Sequence, residues 1–264
     1  MNYIATIGVF DGVHEGHQFL INTLCHEAEQ RGLQPAVIVI DKPSSQRLTT
    51  RHEQAALLEQ YTSHIIYYPF KEIQHLTAQE FMTLLHDKHN VSSLLMGYDH
   101  RFGSDLLDYR QIKAQIAHHQ LQIIPCPQGP NISSSKIRNA LLAGDIESAN
   151  NMLGYNYTLS GTVVRGNGIG RTIGFPTANI QVEAYKLIPK PGVYAASNAL
   201  VNIGTNPTIG NDHLTIEAYL PNYHGSDFYG QQLQLPLTRR LRDEQHFSSL
   251  SELQKQIQRD LQRI

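Results

Sequence analysis

Tyr3-Ile4-Ala5-Thr6-Ile7-Gly8-Val9-Phe10-Asp11-Gly12-Val13-His14-Glu15-Gly16-His17 is an apolar run passing directly into a histidine- and glycine-bearing turn. Tyr3 to Phe10 reads as a strand and Gln18 to Arg31 as a helix, so two imidazoles and two glycines occupy a strand-to-helix turn. Glycine lets backbone approach a phosphate. A helix N-terminus offers unpaired N–H groups to an anion, and paired histidines add donors where negative charge develops. The chemistry to expect is attack on a nucleotide α-phosphate.

Working outward, strand-like and helical stretches alternate: Ala36–Ile40, Glu53–Tyr61, Ile65–Pro69, Ala78–Lys88, Ser93–Met96, Tyr109–His119, Gln122–Pro125 and Ser134–Leu142. Such alternation predicts an α/β, Rossmann-like parallel sheet with helices on both faces. Thr50-x-x-Glu53 and Thr77-x-x-Glu80 are capping boxes that mark helix starts. Ligands of open α/β sheets bind beyond the carboxyl ends of the strands. The His14–His17 turn, Gly97–Gly103 and Ser133–Arg138 each follow a predicted strand, and are expected to line one cleft.

A short helix over Ile146–Leu153 ends at Gly154, and the pattern then changes. The boundary is placed near Gly154–Tyr157, giving domains 1–154 and 155–264. Leu159–Arg165, Ala178–Val182, Val193–Ala196, Leu200–Ile203, Leu214–Leu220 and Gln232–Leu237 read as short strands of a small antiparallel barrel. A closing helix starts at the box Ser249-x-x-Glu252 and carries Leu250, Leu253, Ile257, Leu261 and Ile264 at helical spacing, a stripe expected to pack on the barrel.

The length of 264 residues suits two domains of roughly 100–150 residues. With 41% hydrophobic and 17% charged residues, the chain reads as soluble and globular. No run approaches the ~20 apolar residues that span a bilayer, and no signal-peptide pattern opens the sequence, so a cytoplasmic location and no membrane partner are expected. Cys25 and Cys126 are not in a C-x-x-C pair and read as buried free thiols. Up to Gly154 there are 11 Lys and Arg against 15 Asp and Glu, net −4; the remainder has 10 against 8, net +2. Neither half is basic enough for a nucleic-acid surface. Most of the 14 histidines, such as His26, His52, His86, His118 and His119, lie singly on polar helix faces.

Read as H-x-G-H, the His14–His17 turn resembles the nucleotidyltransferase superfamily. Ile132-Ser133-Ser134-Ser135-Lys136-Ile137-Arg138 is similar to the I-S-S-[ST]-x-I-R element of bacterial bifunctional riboflavin kinase/FAD synthetases. Gly170-Arg171-Thr172-Ile173-Gly174-Phe175-Pro176-Thr177-Ala178-Asn179 resembles the G-R-x-x-G-[FY]-P-T-A-N stretch of riboflavin kinases. The resemblance covers essentially the whole chain. It implies phosphorylation of riboflavin to FMN with release of ADP, and adenylylation of FMN to FAD with release of pyrophosphate, with ATP as substrate of both and Mg²⁺ as cofactor. It names no protein partner.

In the first domain the resemblance implies that His14 and His17 are transition-state donors and that Gly8, Phe10, Gly12, Gly16, Ser133, Ser134, Ser135, Lys136 and Arg138 bind ATP. Gly97-Tyr98-Asp99-His100-Arg101-Phe102-Gly103 is similar to G-x-[DN]-F-x-F-G, which puts Asp99 and Phe102 at FMN. In the second domain it implies that Gly161, Arg165, Gly166, Gly168, Gly170, Arg171, Gly174 and Pro176 surround ATP, that Thr177 and Asn179 hold Mg²⁺ and phosphate, and that Glu217 is the base for the ribityl hydroxyl. Strand alternation places Thr215, Glu217 and Tyr219 on one face, with Ile216, Ala218 and Leu220 toward the core. Asp227-Phe228-Tyr229-Gly230 and Leu241-Arg242 fit further elements that read as structural supports.

The pattern departs at three places. His100 stands where Phe is usual, Asp41-Lys42-Pro43 lacks a His before Pro, and five residues between Ala196 and Asn202 leave room for a tight turn at Ser197-Asn198 only. The sequence admits two other readings: a single-activity H-x-G-H transferase, which leaves the second half unexplained, and a flavin-binding sensor with decayed catalysis, in which the motif residues should have been lost.

Overall fold

The computed structural model describes residues 2–97, 100–115, 121–166, 170, 174–205, 214–223 and 228–264, and the chain divides into two compact units, up to Ser133 and from Ser134. Among the site expectations, Asp99, Gly168 and Arg171 lie outside the described residues.

In the first unit β1 (Tyr3–Gly8), β2 (Gln34–Asp41), β3 (Ile65–Pro69), β4 (Val91–Met96) and β5 (Gln122–Pro125) form a parallel sheet ordered β3-β2-β1-β4-β5. The chain builds from β1 to one side, then crosses to the other. The order therefore reverses between β1 and β4, the place where an open α/β sheet offers a crevice beyond its carboxyl ends. Side-chain alternation along β1 and β2 feeds two cores. Ala5, Ile7, Ala36 and Ile38 face Phe81 and Leu85 of α4 (Ala78–His89) and Ile112 of α5 (Tyr109–Gln115). Ile4, Val37 and Val39 face Ile21, Leu24 and Ala28 of α1 (Glu15–Arg31) and Leu58 of α2 (Arg51–Leu58). A four-residue helix, α3 (Phe70–Ile73), follows β3. Both expected capping boxes form: Thr50 and Thr77 accept from the N–H groups of Glu53 and Glu80, whose carboxylates return to the cap N–H groups. Cys25 and Cys126 are free, with both thiols pushed up by burial. No helix among the described residues is long and apolar enough to cross a membrane.

The second unit opens with α6 (Ser134–Ala143) and α7 (Ile146–Leu153), then a closed barrel. Its strands are β6 (Thr158–Val164), β7 (Thr177–Val182), β8 (Gly192–Ala196), β9 (Ala199–Thr205), β10 (Leu214–Tyr219) and β11 (Gln232–Arg242), ordered β10-β7-β6-β11-β8-β9 around the circle. β8 and β9 meet at Ala196 opposite Ala199, so the hairpin is a two-residue turn in which Asn198 takes φ 61°. β11 runs five residues past the expected end at Leu237. The basic stretch Arg239–Arg242 breaks the apolar alternation, but Arg240 donates to the Pro191 carbonyl and pairs with Asp243, while Arg242 pairs with Asp260.

The closing helix, α8 (Leu250–Leu261), differs from its expected stripe. Ile257 and Leu261 pack against Val193, Ala195, Leu200 and Leu241, but Leu250 is 57% exposed and Ile264 is also exposed. What α8 buries completely is a charge: Asp260 receives Arg242 at 2.8 Å and Gln256 at 3.0 Å. Its cap also differs. Ser249 accepts from the Glu252 N–H, but the Glu252 carboxylate reaches back to Ser248.

α6 and α7 pack within the second unit. Ile146, Ala149 and Leu153 are buried, the Asn150 amide donates to the Leu237 carbonyl and accepts from the Tyr157 N–H, and the Lys190 N–H donates to the Leu141 carbonyl. Burying one aliphatic side chain is worth ~1.5–3 kcal/mol against a domain total of ~5–15 kcal/mol. A fragment starting at Ser134 should therefore melt ~10 °C or more above one starting at Gly154. Equal melting temperatures for the two fragments would show that the helix pair adds nothing to the barrel.

Candidate active sites

At the first site the chain leaves β1 through a turn in which Phe10 (φ 50°), Gly12 (φ 85°) and Val13 (φ 35°) all have left-handed backbone. Such values in two non-glycine residues persist only where surroundings impose them. His14 is the N-cap of α1, and its Nδ1 accepts from the His17 N–H at 3.4 Å. That bond commits Nδ1 as an acceptor and leaves the proton on Nε2. The two imidazoles stack with centroids 3.7 Å apart, and the Phe10 ring stands edge-on to His17 at 5.1 Å.

Burial lowers the His14 imidazole to about 4, against the opposing effect of the Asp11 carboxylate. Burial, then the neighbouring His14, holds His17 well below its ordinary value. At neutral pH both rings are uncharged. A side chain at Gly16 would start 3.2 Å from the His14 ring, so glycine there gives the imidazole its room. The Ile132 carbonyl lies 3.6 Å from the same point, and Gly129 passes against the Phe19 ring, so the segment before Ser133 crosses the start of α1. Ser134, Ser135, Lys136 and Arg138 stand on the first turns of α6, in the second unit. Phe102 is buried, stacked on Phe81 at 5.3 Å, and exchanges backbone hydrogen bonds with Leu107. Lys42 is exposed, over the Phe70 ring at 5.3 Å.

At the second site three sequence-predicted residues come together on neighbouring strands. Glu217 of β10 lies opposite Asn179 of β7, and the Thr177 hydroxyl donates to the Glu217 carboxylate at 3.4 Å. Ile216 and Ala218 are buried in the barrel and Thr215, Glu217 and Tyr219 take the other face. Burial raises the Glu217 carboxyl above its ordinary value, the Thr177 hydrogen bond opposing it. Gly166 sits so close to Asn179 that a Cβ would fall 1.9 Å from the amide nitrogen, so a side chain there would have to push the Asn179 amide aside. Gly170 accepts from the Phe175 N–H, Gly161 lies in β6, and Gly174 has φ 81°. Arg165 and Pro176 are exposed, Arg165 over the Tyr229 ring at 5.5 Å. A cavity of about 530 Å³ borders Asn179 and Thr215 and reaches Glu183, Lys186 and Ile188.

The FAD synthetase family model matches residues 1–136, and the riboflavin kinase family model matches residues 153–264. The chain belongs to the bifunctional riboflavin kinase/FMN adenylyltransferase family. The protein of that name from Escherichia coli (strain K12) is 34% identical over 284 residues, spanning 97% of this chain and 90% of that protein. Its namesake from Listeria monocytogenes serovar 1/2a is 33% identical over 99% of this chain and 91% of its own. A crystal structure described as a macrolide-efflux protein from Streptococcus pneumoniae superposes with TM-score 0.86 at 27% identity, covering 99% of this chain and 93% of that one.

In this family member, the residues that shape the His14–His17 turn include several the motifs did not name. The buried Asp11 carboxylate accepts from the N–H groups of Leu48 and Thr49, the Thr49 hydroxyl accepts from the Gly12 N–H, and Gln54 reaches the carbonyls of Val9 and Phe10. The sequence signal was slight: Gln54 precedes Leu58 by four residues, a polar side chain on an otherwise apolar helix stripe.

Proposed function

We propose that this chain phosphorylates riboflavin to FMN at its Thr177–Asn179–Glu217 site and adenylylates FMN to FAD at its His14–His17 turn. The observation that carries the reading is the pairing of a desolvated carboxylate with the Thr177 hydroxyl and Asn179 on one barrel face, in a chain whose other unit stacks two neutral imidazoles at a topological switch point.

In the kinase reaction Glu217 takes the proton of the ribityl 5′-hydroxyl, whose oxygen bonds to the γ-phosphorus as the bridging bond to ADP breaks. Thr177 and Asn179 offer neutral oxygens, which fit a Mg²⁺ ion that keeps several waters and binds mainly through substrate phosphates. When bound there, Mg²⁺ would neutralise phosphate charge. In the adenylyl transfer an FMN phosphate oxygen bonds to the α-phosphorus of ATP as the bond to pyrophosphate breaks. His14, and His17 stacked on it, donate to the phosphoryl oxygens as charge builds. Domains 1–154 and 155–264 divide the two tasks. A cytoplasmic location belongs to the same proposal.

The test is direct: purified protein with riboflavin, ATP and Mg²⁺, followed by chromatography, should show FMN and then FAD. Binding without turnover would refute the reading. The pH dependence separates the sites. Only the Glu217 carboxylate accepts a proton, and its titration point is raised, so kinase activity should fall on acidification at a pH above the ordinary glutamate range of ~4.3. A kinase profile flat down to that range would remove Glu217 as base.

A further inference from the structure

The Phe10–Val13 backbone is held by α2 and the segment leading into it. Gln54 is 0% exposed, and its Nε2 donates to the Val9 carbonyl at 2.8 Å and to the Phe10 carbonyl at 2.9 Å. Its Oε1 accepts from Arg47, which also pairs with Asp41 at the end of β2. The capping box at Thr50 fixes where α2 begins, and so aims Gln54 one turn later at the end of β1. Phe10, whose carbonyl Gln54 holds, presents its ring to His17. A chain of contacts therefore runs from α2 through Phe10 to an imidazole of the transfer site.

We propose that Gln54 is a positioning residue for adenylyl transfer: by fixing the Val9 and Phe10 carbonyls it sets the left-handed turn that aligns the stacked imidazoles on the α-phosphate. The inference rests on assigning the His14–His17 turn to that reaction. Its signature is on turnover, because misalignment of about 1 Å costs up to ~10²-fold in rate while leaving substrate binding largely intact.

The test compares Gln54→Met, which keeps length and volume without donors, with the parent protein. In FAD formation from FMN and ATP, kcat should fall ~10–100-fold with KM for ATP within about three-fold. FMN formation from riboflavin on the same preparation should be unchanged. Gln54→Glu supplies a second readout. Its carboxylate, held ionised by the Arg47 guanidinium from which the Gln54 Oε1 accepts, would face the two carbonyls with no donor, so FAD formation should fall at least as far as in Gln54→Met. An FAD rate within two-fold of the parent in Gln54→Met, or a raised KM with kcat unchanged, would overturn the proposal. If Gln54→Met fails to fold, a folded Gln54→Glu with an FAD rate within two-fold of the parent overturns it. A parent protein that makes FMN and no FAD would instead refute the site assignment.

Discussion

Glu217→Gln should lower riboflavin phosphorylation by ~10²–10⁴ while FMN adenylylation continues, because the amide keeps the shape and cannot take a proton. The Thr177 hydroxyl can still donate to the amide oxygen, so β7 and β10 keep their register and the barrel its fold. The loss should therefore appear in kcat. Measuring both reactions on one preparation gives the control, since the adenylyl step is proposed to use none of these residues. A Glu217→Gln protein with full kinase activity would move the base elsewhere.

His17→Ala should cut FAD formation by ~10²–10³, the usual cost of losing a transition-state donor. Removing the ring also takes away the stacking partner of His14 and the edge contact of Phe10. The N-cap bond survives, because it uses the backbone N–H of residue 17. FMN formation should persist unchanged. Equal loss of both reactions in a folded protein would contradict the two-site assignment.

Much of the architecture was readable because local rules agreed with the global ones. Ile65–Pro69 and Gln122–Pro125 stand where alternation put them, and the Thr50 and Thr77 boxes begin α2 and α4. The two-residue turn at Ser197-Asn198 followed from chain length and the tolerance of Asn for positive φ. The resemblance to riboflavin kinases implied Thr177, Asn179 and Glu217 in one site, and strand pairing sets Glu217 opposite Asn179. Long-range polar pairing was not readable. Arg239–Arg242 looked like a strand end because two of its partners, Pro191 and Asp260, are supplied by other segments. Gln54 carries little local signal, because the two carbonyls it holds lie more than forty residues back in the chain.

The burial of the Glu217 carboxyl has a consequence for flux. As the medium acidifies, the carboxylate is lost above the ordinary glutamate range, whereas the His14 imidazole at the other site keeps its Nε2–H donor whether neutral or protonated. With Glu217 as the proposed base, the step that should stall is the one that makes FMN, while the step that consumes FMN continues. On that proposal, acid should throttle the sequence at its entry. Riboflavin should accumulate, the half-finished nucleotide should drain away into FAD, and neutralisation should restart the supply without any change to the protein.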